Sequence, residues 1–188
     1  MKHILIISSL FILLFTSCQD NGTSTNSEGN ETKTDSLLFK DGELTKEIKV
    51  YGVVNNPLTI TVDSLKSMNV FEGGEHQLVC RSGENKKKIN NFKGVLLKDI
   101  LEKAKIQSHH KESGKYIVKI TSTNNYVVTY ALNEILFNET GNNVYVTFEE
   151  NGEPITKDGG LMSIITLNDK VTGVRHVKWP KEIEIIKL

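Results

Sequence analysis

Two short stretches carry the residue types that could do chemistry. The first is Leu78-Val79-Cys80-Arg81-Ser82-Gly83, where an apolar, strand-like run ends in a thiol and gives way to a polar loop containing glycine. The second is Thr172-Gly173-Val174-Arg175-His176-Val177-Lys178-Trp179, a run of donors and cations closed by an aromatic anchor. The chain has two cysteines, Cys18 and Cys80. With Cys18 consumed at the N-terminus, Cys80 has no partner for an intramolecular disulfide. Such a lone thiol is buried and inert, bound to something, or exposed and oxidised.

The elements that must position these residues can be read in order. Residues 48–54 are rich in β-branched and aromatic types and read as a strand, and residues 58–62 alternate as a second. Residues 63–68 read as a short helix with Thr61 or Asp63 as its cap. Residues 72–75 read as a loop, residues 76–80 as the strand leading to the thiol, and Lys86-Lys87-Lys88 as part of a solvated polar stretch. Leu97, Ile100, Leu101 and Ala104 fall at helical spacing opposite Lys98, Asp99, Glu102 and Lys103, which makes this the clearest amphipathic helix. His109-His110 follows it, either a solvated end favourable to the helix dipole or a metal site. Strands over residues 116–120 and 126–130 are joined by a turn at Thr123-Asn124-Asn125. A short helix over 132–136 and strands over 144–148, 161–167 and 183–188 complete the chain. Many strands, three helices and no regular βαβ repeat predict an α+β fold of mixed sheets with short helices. There is no GxGxxG, P-loop or GxSxG motif and no zinc-type ligand spacing.

The N-terminus reads as targeting rather than fold. Residues 4–15 are apolar apart from Ser8 and Ser9, too short for a comfortable membrane span and of the length of an export signal. Phe15-Thr16-Ser17-Cys18 resembles a bacterial lipobox, in which small residues precede a cysteine that is lipidated and becomes the new N-terminus. The alternative is an ordinary signal peptide with an incidental cysteine. The expectation is a signal peptide over residues 1–17, a lipid anchor on Cys18, a flexible tether over 18–45 and one domain over 46–188. Such a protein would sit in the bacterial cell envelope facing the periplasm or the exterior. Removing residues 1–17 takes away one base, Lys2, and leaves one more acid than base. That balance gives no bulk electrostatic argument for nucleic acid.

Several motifs resemble one family. Gly52-x-x-x-x-Pro57, the apolar run ending in Cys80, and Phe92-x-Gly94-Val95-x-Leu97-x-x-Ile100-Leu101 are followed by Asn151-Gly152-Glu153-Pro154, Asp158-x-Gly160 and Gly173-x-Arg175-His176-Val177-Lys178-Trp179. Together they resemble the oxidoreductase molybdopterin-binding domain of the sulfite oxidase family, in a minimal single-domain form. The resemblance implies a sulfite-oxidase-type fold and a molybdenum–molybdopterin cofactor. It implies Cys80 as the thiolate ligand of the metal. It implies Tyr126, or less well Tyr130, as the active-site tyrosine, and His176, Val177 and Lys178 as the grip on the pterin and its phosphate. Arg175 adds charge nearby. A soft sulfur suits a metal that cycles between oxidation states, and a cationic, donor-rich loop suits a phosphorylated group.

The sequence also departs from the family pattern. A histidine and an arginine that help hold the cofactor are replaced by Gly159 and Ile164, and an acidic residue near the 116–126 hairpin is replaced by Thr and Ser. Each charged hydrogen bond lost from a buried phosphate costs about 1.5–3 kcal/mol. Two readings follow. One is a surface-anchored molybdenum oxidoreductase that passes an oxygen atom or electrons to a small substrate and relies on an external electron-transfer protein. The other is a degenerate, non-catalytic domain of the same fold that binds a ligand or a partner. The first predicts Cys80 at the rim of a polar cavity with His176 and Lys178 on its wall.

Overall fold

Strict alternation sets the first sheet. In β7 (Tyr116–Ser122), Tyr116, Val118, Ile120 and Ser122 are buried and the residues between them are half-buried, as a strand packed on one face requires. The computed structural model describes residues 42–108 and 110–188. The signal peptide, Cys18, nearly all of the tether and His109 lie outside the described residues.

Five strands form this sheet in the order β2-β1-β13-β7-β8. They are β1 (Ile48–Gly52), β2 (Leu58–Ile60), β8 (Val127–Ala131) and β13 (Pro180–Lys187) around β7. β13 runs parallel to β1, with Lys49 opposite Glu182, and antiparallel to β7. The final strand therefore sits between the first strand and the β7–β8 hairpin. The hairpin turns at Asn125, whose φ of 65° lies in the left-handed region that asparagine tolerates.

A second, six-stranded sheet has the order β12-β11-β9-β6-β3 with β10 beside β9. Its strands are β3 (Phe71–Gly73), β6 (Phe92–Leu96), β9 (Val144–Glu150), β10 (Glu153–Pro154), β11 (Ser163–Thr166) and β12 (Val177–Lys178). Five successive β9 residues, Val144 to Phe148, are buried, because both faces of this sheet are covered. On one face Val144, Val146, Phe148 and Ile164 join the main core with the five-stranded sheet. On the other, Phe92, Tyr145 and Ile165 meet Leu78 and Ile89 in a smaller core.

Leu78 and Ile89 come from a separate two-stranded hairpin, β4 (His76–Val79) and β5 (Asn85–Ile89). Here the structure corrects the sequence reading: the polar stretch with Lys86-Lys87-Lys88 is a strand, although all three lysines are exposed. Burial of Ile89 and pairing with β4 override a composition that reads as loop. Likewise Phe71 to Gly73, which overlaps the expected 72–75 loop, is an edge strand paired with β6.

The helices follow their patterns. α1 (Val62–Lys66) is capped by Thr61, whose side chain accepts from the Ser64 amide at 3.1 Å while Ser64 Oγ accepts from the Thr61 amide at 2.7 Å. α2 (Leu97–Ala104) buries Leu97, Ile100, Leu101 and Ala104 completely and ends at Lys105, which adopts a left-handed φ of 54°. α3 (Leu132–Phe137) buries Leu132 and Ile135. Mixed sheets with short helices are the α+β architecture expected from the sequence.

Candidate functional site

Cys80 is the first residue past β4, where the hairpin turns. Its amide donates to the Glu84 carbonyl at 2.9 Å, and its carbonyl accepts from the Gly83 amide at 2.9 Å. Gly83 takes a φ of 85°, the left-handed conformation such a tight turn needs. The thiol is free and half-buried, so it is held at a fixed hairpin end without being sealed in the core.

The second stretch docks directly against this hairpin. The Thr172 hydroxyl donates to the Gln77 carbonyl at 2.6 Å and accepts from the Val79 amide at 2.9 Å. The next residue is Gly173, and a β-carbon there would stand 2.8 Å from the Val79 carbonyl oxygen. The two stretches singled out in the sequence are therefore neighbours, stitched backbone to side chain.

Beyond Gly173 the loop divides its polar side chains between two sides. Arg175 faces inward: Nε donates to Asp169 at 2.7 Å, Nη1 to Glu134 at 2.8 Å and Nη2 to the other Asp169 oxygen. The guanidinium also lies 4.5 Å from the centre of the Tyr130 ring, and these carboxylates hold its pKa well above the usual value. Tyr130 is sealed beneath it, its hydroxyl 2.7 Å from Thr166 Oγ1 and its pKa pushed up to about 12 by burial. Val177 is buried in β12 opposite Ile164. Tyr126 donates its hydroxyl to the Val174 carbonyl and is half-buried, with its pKa raised by burial.

His176 and Lys178 line a cleft of about 390 Å³ together with Lys87, Glu150, Asp158, Gly159 and Ser163, within the size range of small-molecule sites. Nε2 of His176 is buried and makes no hydrogen bond. Burial, then the charges of Lys178, Lys87, His76 and Lys86, push its pKa down to about 3, so the ring is neutral. The Nζ of Lys178 lies 5.4 Å from the centre of the Trp179 ring. Trp179 is 7 % exposed and donates Nε1 to the Lys157 carbonyl at 3.0 Å. A β-carbon on Gly160, whose φ is 92°, would reach 2.6 Å from the Trp179 amide nitrogen. That contact fixes the Asp158-Gly159-Gly160 loop to the closing segment and makes it part of the cleft wall.

His76 stands at the start of β4. Neither of its buried ring nitrogens completes a hydrogen bond of normal geometry, although the Gly74 backbone is near enough to favour the charged form. Burial prevails and lowers its pKa. Its ring meets Phe92 edge-on at 5.2 Å. Lys87, read in sequence as solvated, lines the cleft and pairs with Glu150. No sequence pattern places Lys87 in the cleft, because a hairpin folded over a distant sheet brings it there.

The structure thus places Cys80 beside Gly173, and His176 and Lys178 in one cleft, but Cys80 is not among the cleft's lining residues. Arg175 and Tyr126 are bonded within the protein. Ile164, matched to a cofactor-holding arginine of the family, is fully buried in the main core. Strand alternation turns its neighbour Ser163 to the cleft instead, where its hydroxyl lies 2.8 Å from Thr147 Oγ1.

The family model for the oxidoreductase molybdopterin binding domain matches residues 40–187. The chain belongs to this family. Among solved structures it is similar to the crystal structure of the sulfane dehydrogenase SoxCD from Paracoccus pantotrophus. The TM-score is 0.55 at 18% identity, covering 77% of this chain and 40% of that one. The chain thus spans about two fifths of the length of that chain, and the likeness supports the sulfite-oxidase-type fold. No protein of curated function matches the chain.

The donor set can be tested against the cofactor that the family implies. A buried, unpartnered Nε2 beside two lysine side chains, in a cleft of small-molecule size, is a polar atom without a protein partner and suits an anionic group. A half-buried thiol at a hydrogen-bonded turn suits a soft metal. Among the described residues no cluster of three or more His, Cys, Asp or Glu could hold a metal ion by itself. A metal there depends on ligands brought by the cofactor, and on that condition the residues fit.

Proposed function

We propose that the chain is the cofactor-binding domain of a molybdenum oxidoreductase, tethered to the outer face of a bacterial membrane through a lipid on Cys18. Cys80 is the protein's ligand to the metal. His176 and Lys178, with Lys87 opposite, receive the phosphate end of the pterin, and the Val177 backbone fixes the rim of the cleft. The bound group supplies a metal that changes oxidation state and passes an oxygen atom or electrons to a small substrate. The chain's own residues orient that group, neutralise its charge and keep the Cys80 turn in one geometry. Electrons are exchanged with a separate redox protein.

The observation that carries this reading is the orphaned Nε2 of His176 in a lysine-lined cleft, on a loop that also docks against the Cys80 turn. The test is to produce the full-length protein in a host that makes the cofactor and to measure molybdenum and pterin per chain. About one of each is expected. Protein free of both, with Cys80 open to alkylation, would overturn the reading.

A second reading is favoured by one specific arrangement. Tyr126 has its hydroxyl committed to the Val174 carbonyl, and Gly159 and Ser163 stand on the cleft wall where charged grips would help. On that reading the cleft binds an anionic ligand or partner without catalysis. Cofactor bound without turnover of any oxoanion or sulfoxide would favour it.

A further inference from the structure

Among the described residues, β4 is paired on one edge only. Its ladder partner is β5, with Gln77 opposite Lys88 and Val79 opposite Asn85. The other edge presents the Gln77 carbonyl and the Val79 amide. An open edge of this kind normally meets water or another strand. Here a single side chain fills it: Thr172 Oγ1 donates to Gln77 at 2.6 Å and accepts from Val79 at 2.9 Å. One hydroxyl thus makes both bonds that a neighbouring strand residue would make. Thr172 is 8 % exposed, so water is a poor substitute. Gly173 then lets the loop backbone close onto Val79, where any β-carbon would meet the carbonyl oxygen at 2.8 Å.

We propose that Thr172 is a positioning residue whose hydroxyl stands in for a β-ladder neighbour on the open edge of β4 and so fixes the Cys80 thiol relative to the His176–Lys178 wall. The functional consequence rests on the cofactor reading above. Cys80 lies one residue beyond the clamped Val79, and His176 lies four residues beyond Thr172. The clamp is therefore a short mechanical link between a metal ligand at the end of β4 and an anion grip at the start of β12, two strands of different sheets. Without it, the hairpin keeps its apolar core of Leu78 and Ile89, the His76–Phe92 contact and the Lys87–Glu150 pair, none of which bonds the Gln77–Val79 edge beside Cys80.

The test compares Thr172→Val, which keeps shape and loses the hydroxyl, with Thr172→Ser, which keeps the hydroxyl, in the full-length metal-free protein. Amide exchange at Val79 is expected to rise about tenfold or more in T172V, because the amide loses its acceptor and the Gln77 carbonyl its donor. Alkylation of Cys80, followed on its peptide by mass spectrometry, is expected to rise severalfold. Protection in β7 and β13 should stay unchanged, and T172S should match wild type. Wild-type exchange and alkylation in T172V would overturn the proposal. If T172V loses protection in β7 and β13, Gly173→Ala decides instead: it keeps the hydroxyl but pushes the loop off Val79, and unchanged Cys80 alkylation there would overturn the clamp. In a cofactor-making host, T172V should retain several times less molybdenum than wild type or T172S. Wild-type protein without molybdenum would defeat the cofactor reading alone, because exchange and alkylation are read on metal-free protein.

Discussion

On the inner side of the closing loop, the guanidinium of Arg175 is paired with Asp169 and Glu134 and stacked on Tyr130. One residue later, on the cleft side, Nε2 of His176 is buried with no partner at all. The two regions are built from the same loop and share its backbone, yet one satisfies its polar groups and the other does not. Buried polar atoms without partners are rare, because each costs roughly 1–3 kcal/mol. The inner region is scaffold, complete in itself. The cleft wall leaves open a polar group that the protein itself does not satisfy.

The sharpest way to break this contrast is to remove the scaffold side. Arg175→Met leaves the carboxylates of Asp169 and Glu134 without their cation, with side chains 16% and 30% exposed. Partial solvent access places the expected loss of stability at about 2–3 kcal/mol, below that of a fully buried pair. Urea unfolding measures it, and a loss under about 0.5 kcal/mol would show that the network is ornamental.

Acid should act on the other region. The folded state keeps His176 neutral, with its pKa pushed down to about 3, whereas an unfolded histidine titrates near 6.5. Between those values the unfolded chain binds the extra proton, so stability is complete above about pH 6.5 and falls as the pH drops toward 3. The slope from this one group reaches at most ~1.4 kcal/mol per pH unit. His76, also lowered by burial, acts in the same direction. Urea midpoints at pH 7.5 and 5 should therefore fall less in His176→Leu than in wild type, and identical falls would contradict the assignment.

At neutral pH the same His176→Leu change is expected to leave the metal-free protein within about 1 kcal/mol of wild type, or slightly more stable, because it removes an unsatisfied polar atom. A loss above about 2 kcal/mol would mean that the ring is structural after all. The smallest effect is expected for Lys88→Ala on the outer face of the hairpin. The Lys88–Glu75 pair is more than half exposed on both sides, and its loss should shift stability by no more than about 0.5 kcal/mol. A larger change would mean that the basic strand does more than pair with β4.

Much of this was legible in the sequence. The helical spacing of Leu97, Ile100, Leu101 and Ala104 gave α2, and the strand-like run at residues 116–120 gave most of β7, because local patterns survive folding unchanged. Asn85 to Ile89 read as loop because the reason it is a strand, an open edge on β4 and a pocket for Ile89, lies in tertiary structure. The same limit applies to the site. Cys80 and the Thr172–Trp179 run stood out by residue type, but nothing in their spacing shows that the Thr172 hydroxyl bonds the Gln77 carbonyl and the Val79 amide, about 95 residues away. Arg175 was read as a charge available to a ligand. Its commitment to Glu134 and Asp169 follows from α3 and the loop after β11 packing around it, which no spacing rule reveals.

The most direct test is to count molybdenum and pterin separately in full-length wild type, Cys80→Ser and His176→Leu made side by side in a cofactor-producing host. If both stretches serve one bound group, wild type carries about one of each, Cys80→Ser loses metal, and His176→Leu loses pterin and metal together while still folding. Cys80→Ser and His176→Leu proteins that both match wild type in metal and pterin would contradict a shared site.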